Sequence, residues 1–309
     1  MKEERTVVMK KLFAFFIAVL TACLLCACSL SFDSGEVRQI GGASGEHKGT
    51  DEAGQPNSPN ADASIEEQIC FEHEGVRVTA KSMTNNSIRG TGINLLVEND
   101  TERDYFVSAR HIIVNNCMVS TLFSCEVAAG KKANDTLYLS SSALKAAGIG
   151  NIGQIELYFY VYDSETYETV YDAECVTLKT TLFDTMDIVA DDTGYELYHQ
   201  DGIRIVGKYV DENTFWGSSV LLYIENKTDR NITVTCDDMS INGYMVTALL
   251  SSTVYQGKYA VDHITVFPAS LEENGITSID TVELKFHIFD SDTLKTIVNT
   301  DAIGFNAQS

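Results

Sequence analysis

The chain has 309 residues, 22 of them basic and 44 acidic, for a formal net charge of −22. Such a field repels nucleic acid and anionic lipid heads and favours solubility, and no basic stripe with interleaved aromatics offsets it. With 44% apolar residues the chain is able to build a core, yet it shows no cofactor fingerprint and, after residue 28, no cysteine pair at zinc spacing.

In chain order, Met9, Lys10 and Lys11 precede an apolar run from Leu12 to Ala27, the basic and apolar regions of an export signal. Sixteen apolar residues fall short of the roughly 20 that span a bilayer. The run ends in Leu25, Cys26, Ala27 and Cys28, which resembles the lipobox of bacterial lipoproteins; the resemblance implies a signal over residues 1–27, diacylation of Cys28 and an extracytoplasmic, membrane-anchored protein. A second such run ends at Cys23, but cutting there would leave Leu24, Leu25 and Cys26 exposed at the new terminus. After removal of the signal, 18 basic and 42 acidic residues remain, a charge of −24.

Residues 28–68 are rich in Gly, Ser, Asp and Glu with almost no clustered apolar side chains, a composition that predicts a flexible tether. Behind it the chain repeats itself. Residues 71–178 fall on 198–305 at a shift of 127 without a gap, and about thirty of the 108 pairs are identical, among them Glu98 with Glu225 and Asn99 with Asn226. The predicted layout is therefore a first domain over 69–178, a linker over 179–194 and a second domain over 195–309.

Within the first domain, alternating apolar and polar residues predict strands over 76–79, 93–98, 105–114, 120–128, 135–139, 155–162 and 169–177. Ser140 to Gly148 reads as a short helix that starts on serine caps and stops on glycine, and Pro268 to Gly275 repeats it in the second domain. Asn99 and Asn226 read as turn residues tolerant of the left-handed conformation. Asp163 and Asp290 read as hairpin-turn residues in preference to calcium ligands. This pattern predicts an all-β protein of two tandem immunoglobulin-like antiparallel β-sandwich domains, each with one short helix.

The stretches GINLLVENDTERDYFV, AAGKKAND and LYFYVYDSET, with SVLLYIENKTDRNITV, YQGKYAVD and LKFHIFDSDT in the second copy, resemble a domain of unknown function that recurs in surface lipoproteins of Gram-positive gut bacteria. The resemblance implies an anchored β-sandwich and assigns no catalytic residue.

Five cysteines follow the tether, and their partners in the other copy are not cysteines. The duplication thus argues against a disulfide framework, with a Cys70–Cys175 bridge and small buried thiols both left open. The six histidines are scattered and none is matched by a histidine in the other copy. No nucleophile-elbow glycine pattern is present.

The candidate contact residues are aromatic. On the strand 155–162, Ile155, Leu157, Phe159 and Val161 share one face and are retained in kind as Val282, Leu284, Phe286 and Ile288, which marks them as core. The opposite face carries Tyr158, Tyr160 and Tyr162, replaced by Lys285, His287 and Phe289 in the second copy. This stripe is either cross-strand packing or a solvent-facing platform for a protein or glycan partner. Trp216, present only in the second copy, is a further candidate. The expectation is a lipid-anchored binding or structural module without cofactor or metal; the alternative is an envelope enzyme or accessory subunit with its site between the two domains.

Overall fold

The computed structural model describes residues 37–42, 63–214 and 217–307. Cys23, Cys28 and Trp216 lie outside the described residues.

The first half is a sandwich of two antiparallel sheets. Gln68–His73, Val76–Asn86, Gly90–Asn99 and Lys131–Tyr138 form one sheet in that order. The other is built on Tyr105–Val114, which pairs with Ser124–Val127 and with Gln154–Asp163. Gln154–Asp163 in turn pairs with Thr169–Asp172 and Val176–Lys179. The second half repeats this plan: Tyr195–Gln200, Ile203–Thr214, Gly217–Asn226 and Lys258–Val266 in one sheet, and Ile232–Ile241, Ser251–Val254, Thr281–Asp290, Thr296–Asn299 and Ile303–Ala307 in the other. Ile155, Leu157, Phe159 and Val161 are buried in one core, and Val282, Leu284, Phe286 and Ile288 in the other. The two short helices are Ser141–Ala146 and Pro268–Glu273. Ser140 caps the first through its hydroxyl, which accepts from the Ala143 amide, and Gly148 and Gly275 close the helices at positive φ.

One buried asparagine ties the sheets together in each half. Asn99 and Asn226 are fully buried. The Asn226 amide donates to the carbonyls of Arg230 and Val254, both at 2.8 Å, and its oxygen accepts from the amide and hydroxyl of Thr228. Asn99 makes the same four bonds with Arg103, Val127 and Thr101. Every donor and both lone pairs are used, which is what lets an amide sit in a core. The side chain makes the turn, and it does so without the expected left-handed backbone; positive φ occurs instead at Asn115, Asn116 and Asn242. Asp163 and Asp290 serve their hairpins as expected, accepting from two backbone amides each, which together hold both carboxyls below their ordinary value.

The tether expectation is corrected at one point. Arg38–Gly41 is a strand that pairs with Ile203–Thr214 on one side and with Ile303–Ala307 on the other, so it fills the seam between the two sheets of the second half. Ile40 joins that core. One isoleucine in a polar tract carries no periodic signal, and the strand exists because two sheet edges 170 and 270 residues downstream receive it, roughly counted. The linker is also structured, with a 3-10 turn at Phe183–Thr185 and Asp191 bound to the Lys208 ammonium at 3.0 Å.

Replacing Asn226 with Ala leaves two carbonyls and an amide without partners in the core. The expected loss is about 3 kcal/mol, seen as a lower denaturant midpoint at unchanged slope, with a similar loss for Asn99→Ala. A loss below about 1 kcal/mol would show that these networks do not hold the sandwiches closed.

Candidate functional site

The two sandwiches meet at a parallel strand pair. Cys117 and Met118 lie beside Tyr259 and Ala260, and the Tyr259 amide donates to the Asn116 carbonyl at 3.1 Å. Next to this pair the Lys258 ammonium donates to Glu156 Oε1 at 2.5 Å and to Asn116 Oδ1 at 3.1 Å. Gln154 donates to the same Asn116 oxygen at 3.2 Å. Both charged side chains are largely out of water, at 17% and 11% exposure. An apolar cluster of Cys117, Ala147, Val206, Tyr223 and Tyr259 completes the contact. Burial pushes the Cys117 thiol up to about 12, so it is an un-ionised packing group.

The tyrosine stripe divides at this contact. Tyr158 is half-buried: its ring meets Tyr255 of the second half edge-on at 5.2 Å, and His111 lies 4.7 Å from Tyr255. At this end of the sheet the ring packs against the neighbouring sandwich. Burial, and then the Arg110 charge, hold His111 below its ordinary value, which keeps it neutral at pH 7. Cys175 is a free thiol 4.0 Å from Glu156, and Cys70 is likewise free, so no bridge joins them.

Beyond Tyr158 the stripe stays half-buried at Tyr160 and Tyr162 and ends at an exposed ring. Tyr160 stacks on Tyr162 at 5.7 Å, Tyr162 stacks on Phe106 at 5.1 Å and on Tyr167 at 6.4 Å, and Tyr167 is 62% exposed. The Arg110 guanidinium lies 4.6 Å over the Tyr160 ring and is held by Asp172 at 2.8 Å. Arg110 also lines a cleft of about 450 Å³ between the two halves, together with His111, Ser120, Ser251, Thr253 and Asp262. Ring row and polar cleft are thus one continuous surface joined at Arg110. The chemistry it offers is ring stacking, one fixed cation and several hydroxyls, the means by which proteins hold sugars or extended peptides. Among the described residues no three His, Cys, Asp or Glu side chains gather at metal-binding distance.

Sequence reasoning named Tyr160 and Tyr162 but missed Arg110, Tyr255, Lys258 and Glu156. One signal for the interface was present: Val206 and Tyr259 stand where the first copy has Thr79 and Lys132. An outward sheet face that turns apolar in only one copy is a covered face.

No family model and no curated protein matches the chain. Among solved structures it is similar, at a TM-score of 0.24 and 10% identity over 74% of its length, to a chain from a study of "Inhibition of the exo-beta-D-glucosaminidase CsxA by a glucosamine-configured castanospermine and an amino-australine analogue". The match spans about a quarter of that chain, 26%.

Removing one member of a buried ion pair strands the other, so Lys258→Met should cost about 3–5 kcal/mol. The double variant Lys258→Met, Glu156→Met should recover most of that loss, because an apolar pair of similar volume often replaces a buried salt bridge at little cost. Denaturant unfolding of the two single variants and the double variant measures the coupling, and additive losses would remove the pair from the interface.

Proposed function

We propose that the protein is an extracytoplasmic lipoprotein, anchored through Cys28, that acts by binding a protein or glycan of the cell envelope and not by catalysis. The observation that carries the binding role is the row Phe106, Tyr162, Tyr160 and Arg110 running into the cleft between the halves. A rigid sheet presents these rings at low entropy cost, and tyrosine gives both an apolar face and a hydroxyl to a partner. The second half has Phe289 and His287 with Lys285 tied to Asp238 at these positions, so the row belongs to the first half alone. The duplicated sandwich is the scaffold in this reading. His111 contributes packing between Tyr158 and Tyr255, and the cleft supplies polar contacts to the ligand. The basic and apolar run that precedes Cys28 supports export and anchoring. A second acyl chain is what makes such an anchor stable, since one chain binds reversibly.

Two experiments test this reading. Replacing Tyr160 with Ser and Tyr162 with Thr should lower stability by only about 1 kcal/mol in total while abolishing capture of envelope glycan or protein fragments on an array. Tyr158→Ser should instead loosen the interface and lower the melting temperature. Retained capture in the Tyr160, Tyr162 variant would dismiss the face as the site. For the anchor, Cys28→Ala should abolish incorporation of labelled fatty acid and release the protein from the membrane fraction. Labelling that persists moves the site to Cys23, and no labelling of the unmodified chain removes the anchor altogether.

A further inference from the structure

The seam filled by Arg38–Gly41 has the parts of a peptide-binding site. Its walls are two strand edges, and the segment forms a ladder with each: Arg38 and Gln39 opposite Val210 and Tyr209, Ile40 and Gly41 opposite Ala307 and Asn306. Between the ladders the Ile40 side chain enters the core at 7% exposure. It fits because Gly207 leaves the space; a β-carbon there would lie 2.8 Å from Ile40 Cδ1. At the head of the segment the Arg38 guanidinium bonds Glu212 at 3.0 Å, the Ile279 carbonyl at 2.9 Å and the Ala307 carbonyl at 2.9 Å, with Asp280 at 3.4 Å. Glu212 is itself fixed, accepting from the Ile279 amide at 2.9 Å. At the tail, Gly42 lies against Tyr195, where a β-carbon would come within 2.7 Å of the hydroxyl.

The first half shows that these parts belong to a site and not to the fold. The positions matching Gly207, Glu212, Tyr195 and Asp280 are Ala80, Asn85, Gln68 and Gly153, so the hole, both acids and the ring are missing together. That sandwich closes its seam with a single bridge from Ile65 to Thr180, supplied by the residues just before its own first strand. The second half has been given a different solution, in which the ligand comes from the far end of the chain. Residues 43–62, between the strand and the first sandwich, are almost entirely Gly, Ala, Ser, Pro and polar residues.

We propose that the seam of the second sandwich is an acceptor site for an extended Arg-x-Ile-Gly-Gly peptide, loaded in cis by the tether, and that it takes the same segment in trans when the tether strand is withdrawn. Recognition has three elements: backbone pairing on both edges gives affinity, the Gly207 hole selects an aliphatic side chain, and Glu212 with Asp280 selects arginine two residues earlier.

The test uses the full chain carrying Arg38→Ser and Ile40→Ser and a fluorescent peptide of residues 35–44. The peptide should bind this variant saturably. It should bind the unmodified chain at least about tenfold more weakly, because the cis segment competes at an effective concentration near millimolar. Adding Glu212→Arg, or Gly207→Val, to the variant should abolish binding. A folded variant that ignores the peptide, or binding indifferent to Glu212→Arg, overturns the proposal. A second measurement covers a variant that fails to fold: a protease site placed after Ala53 in the otherwise unmodified chain. After cutting, the N-terminal fragment should stay bound and be displaced by excess peptide; a fragment that leaves at once, or that no peptide displaces, overturns it equally.

Discussion

The ammonium of Lys258 against the carboxylate of Glu156 is the contact on which the arrangement of the rest turns. Taking either charge out of water costs several kcal/mol, and the pair is tolerable only if the geometry returns that cost. Asn116 supplies the geometry: its side-chain oxygen accepts from Lys258 and Gln154, and its carbonyl accepts the Tyr259 amide that starts the parallel strand pair. Register, charge pair and the apolar cluster of Val206, Tyr223 and Tyr259 therefore hold or fail together. The described residues from Val37 onward form one compact unit, and the cleft beside Arg110 lies between its two halves.

The duplication makes the difference between structural and adapted residues visible. Asn99 and Asn226 make identical bonds, as do Asn115 and Asn242, each of which accepts from two amides at the start of the neighbouring strand and donates to a carbonyl. These nodes are the fold. Lys131 and Glu283, by contrast, match Lys258 and Glu156 but stand exposed on opposite halves and do not meet. The same two residue types become an interface only where the strand edges are brought together. Outer faces diverge most: the first half presents the solvated pairs of Arg77 with Glu72 and Lys132 with Glu98, while the second presents tyrosines to its neighbour.

Much of this was legible in the sequence because period-2 alternation and retained apolar positions are local signals. Phe159 and Phe286 are core in both halves, and the Ser140 cap and Gly148 stop bound the helix as its composition requires. What escaped depends on contacts between distant segments. Tyr158 differs from Tyr160 only in being nearer the second sandwich, and nothing in the strand itself says so. Arg38–Gly41 escaped for the same reason in stronger form, since its partners include Val210 and Ala307. The residues that could have flagged it were on the acceptor: Gly207 in place of Ala80 and Glu212 in place of Asn85. Differences between two copies of one fold, read position by position, point to sites more directly than composition does.

The order of assembly follows from where the acceptor atoms lie. Arg38 bonds the carbonyls of Ile279 and Ala307, and Ile40 pairs with Ala307, so the segment finds its full site only once the last strand, Ile303–Ala307, is in the sheet. A segment made early must therefore wait for the chain's end, and closing a loop of that length costs entropy that grows only slowly with its size. The polar stretch 43–62 suits the wait, because it offers no apolar surface with which Ile40 could bury prematurely. The complete site for the segment therefore includes the strand Ile303–Ala307. A contact between a short segment and a sheet pair that has its own core is one that can open without unfolding the rest. In the acceptor-site proposal, that is what lets the strand Arg38–Gly41 act as a covalently attached ligand.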